Sequence, residues 1–162
     1  MKSITRKISI KGENYNNFVE SLVVTIEDTE NEIISEFELF DDWMGKYEHI
    51  IELGKSMPLI AEQYKTEDRL IKGCQSRVWL HSEFKNGKVV FAADSDAIIT
   101  KGLVALVIRV LSNHMPDEII NAKMEFINTI GLKEHLSPTR SNGLVNMIKQ
   151  MKLDALAYKA KN

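Results

Sequence analysis

The sequence predicts an α+β domain in which a small antiparallel sheet packs against several helices. A hairpin signal surrounds Asn86-Gly87, and residues 97–111 form an apolar run that is too long for an ordinary strand. Repeated strand–helix–strand units are missing, so a parallel sheet is not expected. No internal repeat or Pro/Gly/Ser-rich linker divides the 162 residues, and one domain is therefore expected from about residue 29 to residue 162.

The predicted hairpin spans about residues 77–94. Asn86 and Gly87 both tolerate the positive φ of a type I′ turn, and this turn sets the pairing of the two strands. Phe84 then lies opposite Val89, and Leu80 lies opposite Ala93. The residues predicted to share the apolar face of the hairpin are Val78, Leu80, Phe84, Val89, Phe91 and Ala93. Helices must cover that face.

One long helix is predicted before the hairpin. Thr29 and Glu32 have the spacing of a capping box, and Gly54 is a suitable C-terminal stop. Apolar residues recur between them in steps of three and four, namely Ile33, Phe37, Phe40, Met44, Tyr47 and Ile51. Eight acidic residues and no basic residue occur from Glu27 to Asp42, which is typical of a solvated helix face.

The remaining helices are predicted from their start and stop signals. Residues 59–64 suit a short helix, and residues 97–111 suit a buried helix capped by Asp96. Pro116 suits the first position of a short helix, and residues 125–130 suit another that ends at Gly131. Ser137-Pro138 begins a long last helix. Residues 1–28 are expected to be an appendage, in which residues 18–26 could form a strand or a short helix.

Composition excludes several classes of function. Lys plus Arg is 21 and Asp plus Glu is 23, a net charge of −2, which is not the footprint of a general nucleic-acid binder. The longest apolar stretch is interrupted by Lys101 and Arg109 and is too short to span a membrane. One cysteine excludes an intramolecular disulfide and a thiolate zinc site, so no metal is expected in this chain. No Walker or GxGxxG pattern occurs, and no cofactor is expected either. Residues 1–11 hold no apolar run long enough for a signal peptide, so a cytoplasmic location is expected, where a lone thiol stays reduced.

Cys74 is the strongest candidate for chemistry. Gly73 permits a left-handed turn immediately before it, and Lys72 and Arg77 lie nearby in sequence. These cations are expected to lower the pKa of the thiol. The alternative is that Cys74 is a small buried hydrophobic residue. A Cys–His nucleophile pair also stays open, since His49, His81, His114 and His135 are scattered through the sequence.

The sequence around Cys74 resembles the SufE family of sulfur acceptors, which activate cysteine desulfurases in iron–sulfur cluster assembly. The resemblance covers most of the chain, from about Glu32 to the C-terminus. Its most specific part is the Gly73-Cys74-Gln75-Ser76 core followed by Val78-Trp79. The other matching segments are Phe40 to Met44, Tyr47, Ile50 to Gly54, Tyr64-Lys65, Asp94 to Ala97, Lys101-Gly102, Gly131-Leu132 and Leu136 to Leu144.

The resemblance implies a function and a site. Cys74 falls on the cysteine that carries the persulfide, on an exposed loop before the strands. The fold would be similar to that of iron–sulfur scaffold proteins. The partners would be a pyridoxal-phosphate cysteine desulfurase, which holds the cofactor itself, and a scaffold that receives the sulfur. Gly73, Gln75, Ser76, Arg77 and Arg140 are the supporting candidates, with Arg77 and Arg140 orienting the loop and stabilising an anion.

Two other functions stay open. The chain could be a non-catalytic module that binds a partner through its acidic helix, with Cys74 structural. It could also be a cysteine redox sensor, which requires easy oxidation of Cys74. The absence of a second cysteine argues against a dithiol redox cycle within the chain.

Overall fold

A computed structural model describes residues 24–58 and 60–162. Most of the predicted appendage therefore lies outside the described residues. The described part contains seven helices, which are α1 (Ile26–Phe37), α2 (Trp43–Ser56), α3 (Ile98–Leu111), α4 (Pro116–Asn121), α5 (Phe126–Thr129), α6 (Leu132–His135) and α7 (Pro138–Lys161). Two strands, β1 (Val78–Lys85) and β2 (Lys88–Ser95), form an antiparallel pair. The predicted α+β class is confirmed.

The hairpin has the predicted register. Phe84 pairs with Val89, and Leu80 pairs with Ala93. Asn86 and Gly87 have φ values of 53° and 79°, as a type I′ turn requires. The apolar face is buried except for Phe84, which is partly buried. Helices α3 and α7 pack against β2, so the predicted cover of the sheet is present.

Helix α3 forms the centre of the core. Nine of its fourteen residues are buried, and helices α1, α2 and α7 and strand β2 all pack on it. None of the described helices is both long enough and apolar enough to cross a membrane.

The predicted single helix over residues 29–54 is wrong, because two helices occupy that region. Helix α1 begins at Ile26, and its capping box pairs Thr25 with Asp28 instead of Thr29 with Glu32. The Asp28 amide donates to the Thr25 Oγ1 at 3.0 Å. After Phe37 the chain turns, and Asp42 Oδ1 accepts a hydrogen bond from the Gly45 amide at 2.9 Å to begin α2.

The break between α1 and α2 resets the phase of the apolar stripe. Phe37 and Ile50 are buried, whereas Met44 is 68% exposed although it belongs to the predicted stripe. The three- and four-residue spacing of apolar residues continues through the break in the sequence, but it does not describe one continuous buried face. The physical cause of the break is local, because the Asp42 carboxylate satisfies an amide that a continuous helix would have bonded internally.

One further prediction near a helix start is wrong. Asp96 does not cap α3; its Oδ1 accepts from the Arg77 amide at 3.0 Å, and Ala97 precedes the helix without a side-chain cap. The short helix predicted over residues 59–64 is reduced to a 3₁₀ turn at Glu62–Tyr64, a second 3₁₀ turn follows at Glu67–Arg69, and residue 59 lies outside the described residues. The starts of α4 and α7 at Pro116 and Pro138 are as predicted, and Gly131 ends the α5 region in a left-handed conformation.

The acidic run is solvated on most of its surface but also makes contacts with the rest of the protein. Glu36 Oε1 accepts from Arg109 Nη1 of α3 at 2.9 Å, and Glu32 Oε1 lies 3.2 Å from Arg109 Nη2. The hydrogen bond from Arg109 holds the pKa of Glu36 below its usual value. The acidic face of α1 therefore helps to attach α1 to the central helix.

Helices α2 and α3 cross at two glycines. A Cβ atom at Gly102 would lie 2.2 Å from the Ile50 carbonyl oxygen, and one at Gly54 would lie 2.8 Å from the Gly102 amide nitrogen. Both obstacles are backbone atoms, so neither can move aside without displacing a helix. The two glycines let the backbones of α2 and α3 approach closely.

We expect Gly102→Ala to lower the free energy of unfolding by about 2–3 kcal/mol, the usual cost of overpacking a tight contact. Urea denaturation followed by circular dichroism measures this change. Gly87→Ala is the control, because a Cβ there meets nothing within 4 Å. It carries only the cost of a left-handed residue, about 1 kcal/mol. An equal loss in both variants would contradict the steric argument.

Candidate functional site

Cys74 lies in a short loop that is closed at its base by the sheet. This segment, residues 72–77, is the Cys74 loop. The Ile71 amide donates to the Val78 carbonyl at 2.9 Å, which joins the two ends of the loop. Gly73 has a φ of 82°, so the predicted left-handed turn before Cys74 is present.

The turn at Gly73 is attached to helix α7. Asn146 Nδ2 donates to the Gly73 carbonyl at 3.0 Å. A Cβ at position 73 would lie 2.3 Å from Asn146 Nδ2. The positive φ favours glycine at this position, and a Cβ there would displace the Asn146 amide from the Gly73 carbonyl. The position of the cysteine relative to α7 depends on this contact.

A cavity of about 260 Å³ opens beside Cys74. Gln75 and Ser76 line it from the loop, Thr100 and Leu103 from the first turns of α3, and the start of α7 from the other side. The α7 residues that line the cavity or cap its helix are Ser137, Thr139, Arg140, Gly143 and Met147. The positive ends of two helix dipoles therefore meet at this cavity.

The Cys74 side chain is half-buried and points toward α7. Its Sγ donates to the Gly143 carbonyl oxygen at 3.6 Å. Burial raises the pKa of the Cys74 thiol, and the carbonyl acts in the same direction because only the protonated thiol can donate to it. The expectation that Lys72 and Arg77 lower this pKa is wrong, since both side chains lie exposed at the surface. The loop itself is mostly exposed, as expected, but Cys74 within it is only partly exposed.

The structure brings together most of the predicted site residues. Gln75, Ser76 and Arg140 line the cavity with Cys74, whereas Arg77 does not. Arg77 contributes to the loop through its backbone, whose amide donates to Asp96 and whose carbonyl accepts from the Asp96 amide at 3.3 Å. None of the four histidines, all of which lie in the described part of the chain, lines the cavity. The Cys–His pair is therefore not present in this arrangement.

Several residues that line the cavity or hold the loop were not site candidates from the sequence, among them Thr100 in the cavity and Asn146 on α7. Thr100 carried a detectable signal, because it is a polar residue near the start of an otherwise apolar helix. Asn146 carried none, since an amide on a long polar helix is ordinary. Their positions depend on how α3 and α7 pack beneath the loop.

An ion cluster supports the segment that leads into the Cys74 loop. Asp94, which is 7% exposed, lies 2.8 Å from Lys65 Nζ and 3.3 Å from Lys101 Nζ. Burial opposes ionisation of Asp94, but Lys65, the Ser95 amide and Lys101 together hold its pKa below the usual value. The cluster joins the segment before the loop to β2 and α3. Within residues 24–58 and 60–162, no group of three or more acidic, histidine or cysteine side chains could hold a metal ion.

Comparison with known proteins identifies the family. A family model described as SufE, Fe-S metabolism associated domain, matches residues 31–155. The chain belongs to the SufE family. The match includes Cys74, Thr100, Arg140 and Asn146, so the whole cavity lies within the family domain. The resemblance seen in the sequence is confirmed.

Curated relatives agree with this assignment. An uncharacterized SufE-like protein of Rhizobium etli is 40% identical over 130 residues, covering 77% of this chain and 88% of that protein. An uncharacterized SufE-like protein of Synechocystis is 36% identical over 126 residues, covering 78% of this chain and 79% of that protein. SufE-like protein 1, chloroplastic/mitochondrial, of Arabidopsis thaliana is 38% identical over 131 residues. The match with the plant protein covers 80% of this chain but only 35% of the plant protein's own length.

A solved structure has a similar fold. The solution structure of a hypothetical protein from Thermus thermophilus superimposes with a TM-score of 0.67, covering 80% of this chain and 94% of that one, at 18% sequence identity. The architecture of the SufE-family chain is therefore shared with a protein of quite different sequence.

The alkylation rate of Cys74 should increase with pH as the thiol ionises. We expect the pH midpoint of this increase to be higher than for an unperturbed cysteine, because burial raises the pKa of the thiol. Iodoacetamide labelling at a series of pH values, followed by intact mass, measures the rate without ambiguity because the chain has one cysteine. The control is the same chain unfolded in urea. If the pH midpoint of alkylation in the folded chain were equal to or lower than that in the unfolded chain, the sheltered position of the Cys74 thiol would be contradicted.

Proposed function

We propose that this SufE-family chain accepts sulfur from a cysteine desulfurase onto Cys74 and passes it to an iron–sulfur cluster scaffold. The observation that carries the proposal is the placement of the chain's one cysteine in a loop beside a cavity that has room for added sulfur. The Fe-S metabolism domain that covers the loop supports the same process. The pyridoxal phosphate of the desulfurase belongs to that partner.

The proposed chemistry is a thiol exchange. The Cys74 thiolate attacks the outer sulfur of the partner's cysteine persulfide, a new S–S bond forms at Cys74, and the partner's thiolate leaves with the bonding electron pair. Sulfur is transferred without net oxidation, so no electron acceptor is needed. A second exchange with a thiol of the scaffold reverses the sequence and regenerates the Cys74 thiol.

The resting geometry favours a protected thiol over a reactive one. The Sγ atom is half-buried and donates to the Gly143 carbonyl, and a protonated thiol is a poor nucleophile. Attack therefore requires loss of the proton and movement of the loop away from Gly143. Among the described residues, Arg140 is the one cationic side chain that lines the cavity, and it favours the thiolate once the proton is lost.

Incubation with a cysteine desulfurase and free cysteine is expected to add one sulfur atom to the chain. Intact-protein mass spectrometry detects the gain, and a reductant removes it. Cys74→Ser should gain no sulfur and should no longer stimulate the desulfurase, while its circular dichroism spectrum stays unchanged. No gain by the unaltered chain, with a desulfurase that is active alone, would contradict the proposal and favour the partner-binding module.

Arg140→Ala is expected to slow sulfur transfer to Cys74 by about tenfold. This corresponds to loss of one charge-assisted contact of about 1.5 kcal/mol with the developing anion. Arg77→Ala is the matched control, because Arg77 does not line the cavity. Single-turnover transfer followed by mass spectrometry compares the two variants. An unaltered transfer rate in Arg140→Ala would contradict a role for Arg140 in stabilising the anion.

The structure weighs against the redox-sensor alternative. Sensor cysteines combine a lowered pKa with solvent access, whereas burial raises the pKa of Cys74. Exchange with a partner persulfide does not need a permanently reactive thiol, because docking of the partner can open the loop.

A further inference from the structure

Thr100 has an unusual position for a hydroxyl group. It is 7% exposed, lies in the first turn of α3 and lines the Cys74 cavity. Threonine in a helix commonly donates to the carbonyl four residues earlier, but Thr100 makes no such bond to Asp96 and has no other side-chain partner among the described residues. No fully sealed side-chain oxygen or nitrogen in that part of the chain lacks a partner, so this hydroxyl is open to the cavity.

The Thr100 hydroxyl is not hydrogen-bonded to the Cys74 thiol in this structure. Cys74 Sγ has its own partner in the Gly143 carbonyl at 3.6 Å, and within residues 24–58 and 60–162 no hydrogen bond joins it to Thr100. A persulfide adds a second sulfur at an S–S distance of about 2.05 Å. The outer sulfur can therefore extend into the cavity beyond the reach of the thiol. The Thr100 hydroxyl borders this space without a protein partner in the described part of the chain, so it is available to donate to a hydrogen-bond acceptor placed there.

The charges around the cavity favour an anion. Arg140 lies on the α7 side, and α3 begins on the other side with amides that no side chain caps. Lys72 and Arg77 on the loop itself are exposed, and Lys101 of α3 is paired with Asp94. No carboxylate from the described part of the chain lines the cavity.

We propose that the Thr100 hydroxyl donates a hydrogen bond to the outer sulfur of the Cys74 persulfide anion and holds it in the cavity. This inference rests on the proposed function, because it assigns the residue that keeps the transferred sulfur between the two exchanges. Thr100 is a binding residue for the bound sulfur and takes no part in breaking or forming the S–S bond. The bond is made only after transfer, so it stabilises the loaded state over the unloaded thiol.

The test uses Thr100→Val and Thr100→Ser as a matched pair. Valine keeps the shape of threonine and removes the hydroxyl, whereas serine keeps the hydroxyl. The persulfide is formed with inorganic polysulfide, so no desulfurase is involved. The Cys74 thiolate attacks a sulfur atom of the polysulfide, one sulfur is added to Cys74, and a polysulfide dianion shorter by one sulfur leaves. The near-ultraviolet absorbance of the persulfide anion is then followed against pH after desalting.

Loss of the hydroxyl is expected to raise the pH midpoint of the persulfide by about one unit, since a hydrogen bond to an anion favours the ionised form. Thr100→Ser should keep the midpoint of the unaltered chain. The alkylation midpoint of the unloaded Cys74 thiol should be unchanged in both variants, which a general disturbance of the cavity would not allow. Urea denaturation checks that both variants remain folded.

Three results would overturn the inference. They are an unchanged persulfide midpoint in Thr100→Val, equal shifts in the valine and serine variants, and failure of the unaltered chain to hold a persulfide from polysulfide. A chain that polysulfide loads but an active desulfurase does not would contradict the proposed function alone. In that case the comparison of Thr100→Val with Thr100→Ser would still test the hydrogen bond to the persulfide.

Discussion

Burial of α3 is the constraint on which the rest of the structure depends. A helix that is apolar on almost every side must be surrounded, and here α1, α2, α7 and β2 each supply an apolar face against it. Gly54 and Gly102 let α2 approach it closely, and the Glu36–Arg109 pair attaches α1 to its exposed side. The start of α3 is thereby held in one place, and the Cys74 cavity is built at that start.

The same packing explains why the Cys74 side chain is sheltered. The Cys74 loop is joined at its base by the Ile71–Val78 hydrogen bond and attached to α7 through Asn146. Its cysteine is therefore directed toward the cavity between α3 and α7. Burial disfavours the thiolate, while the helix starts and Arg140 favour an anion that extends further inward. This environment is consistent with the proposed storage of transferred sulfur on Cys74.

Much of the fold was predictable from local signals. The Asn86-Gly87 turn determines the register of the hairpin, and Pro116 and Pro138 mark helix starts because their ring conformation suits the first turn. The errors occurred where two local signals competed. Thr25 and Thr29 both have an acidic residue three positions later, and Asp42 interrupts a stripe that periodicity alone would continue. Choosing between such signals requires knowledge of which apolar residues find partners in the core.

The sequence by itself determined the α+β class, the hairpin register, the family and the candidate for the reactive residue, because each depends on short motifs whose chemistry is local. Tertiary structure alone decided the environment of that residue. Lys72 and Arg77 are close to Cys74 in sequence, yet their side chains lie exposed. Gly143, Asn146, Arg140 and Thr100 are distant in sequence, yet they contact the Cys74 loop or line its cavity. Electrostatic and hydrogen-bonding effects act over a few ångströms of space, and separation along the chain does not measure that distance.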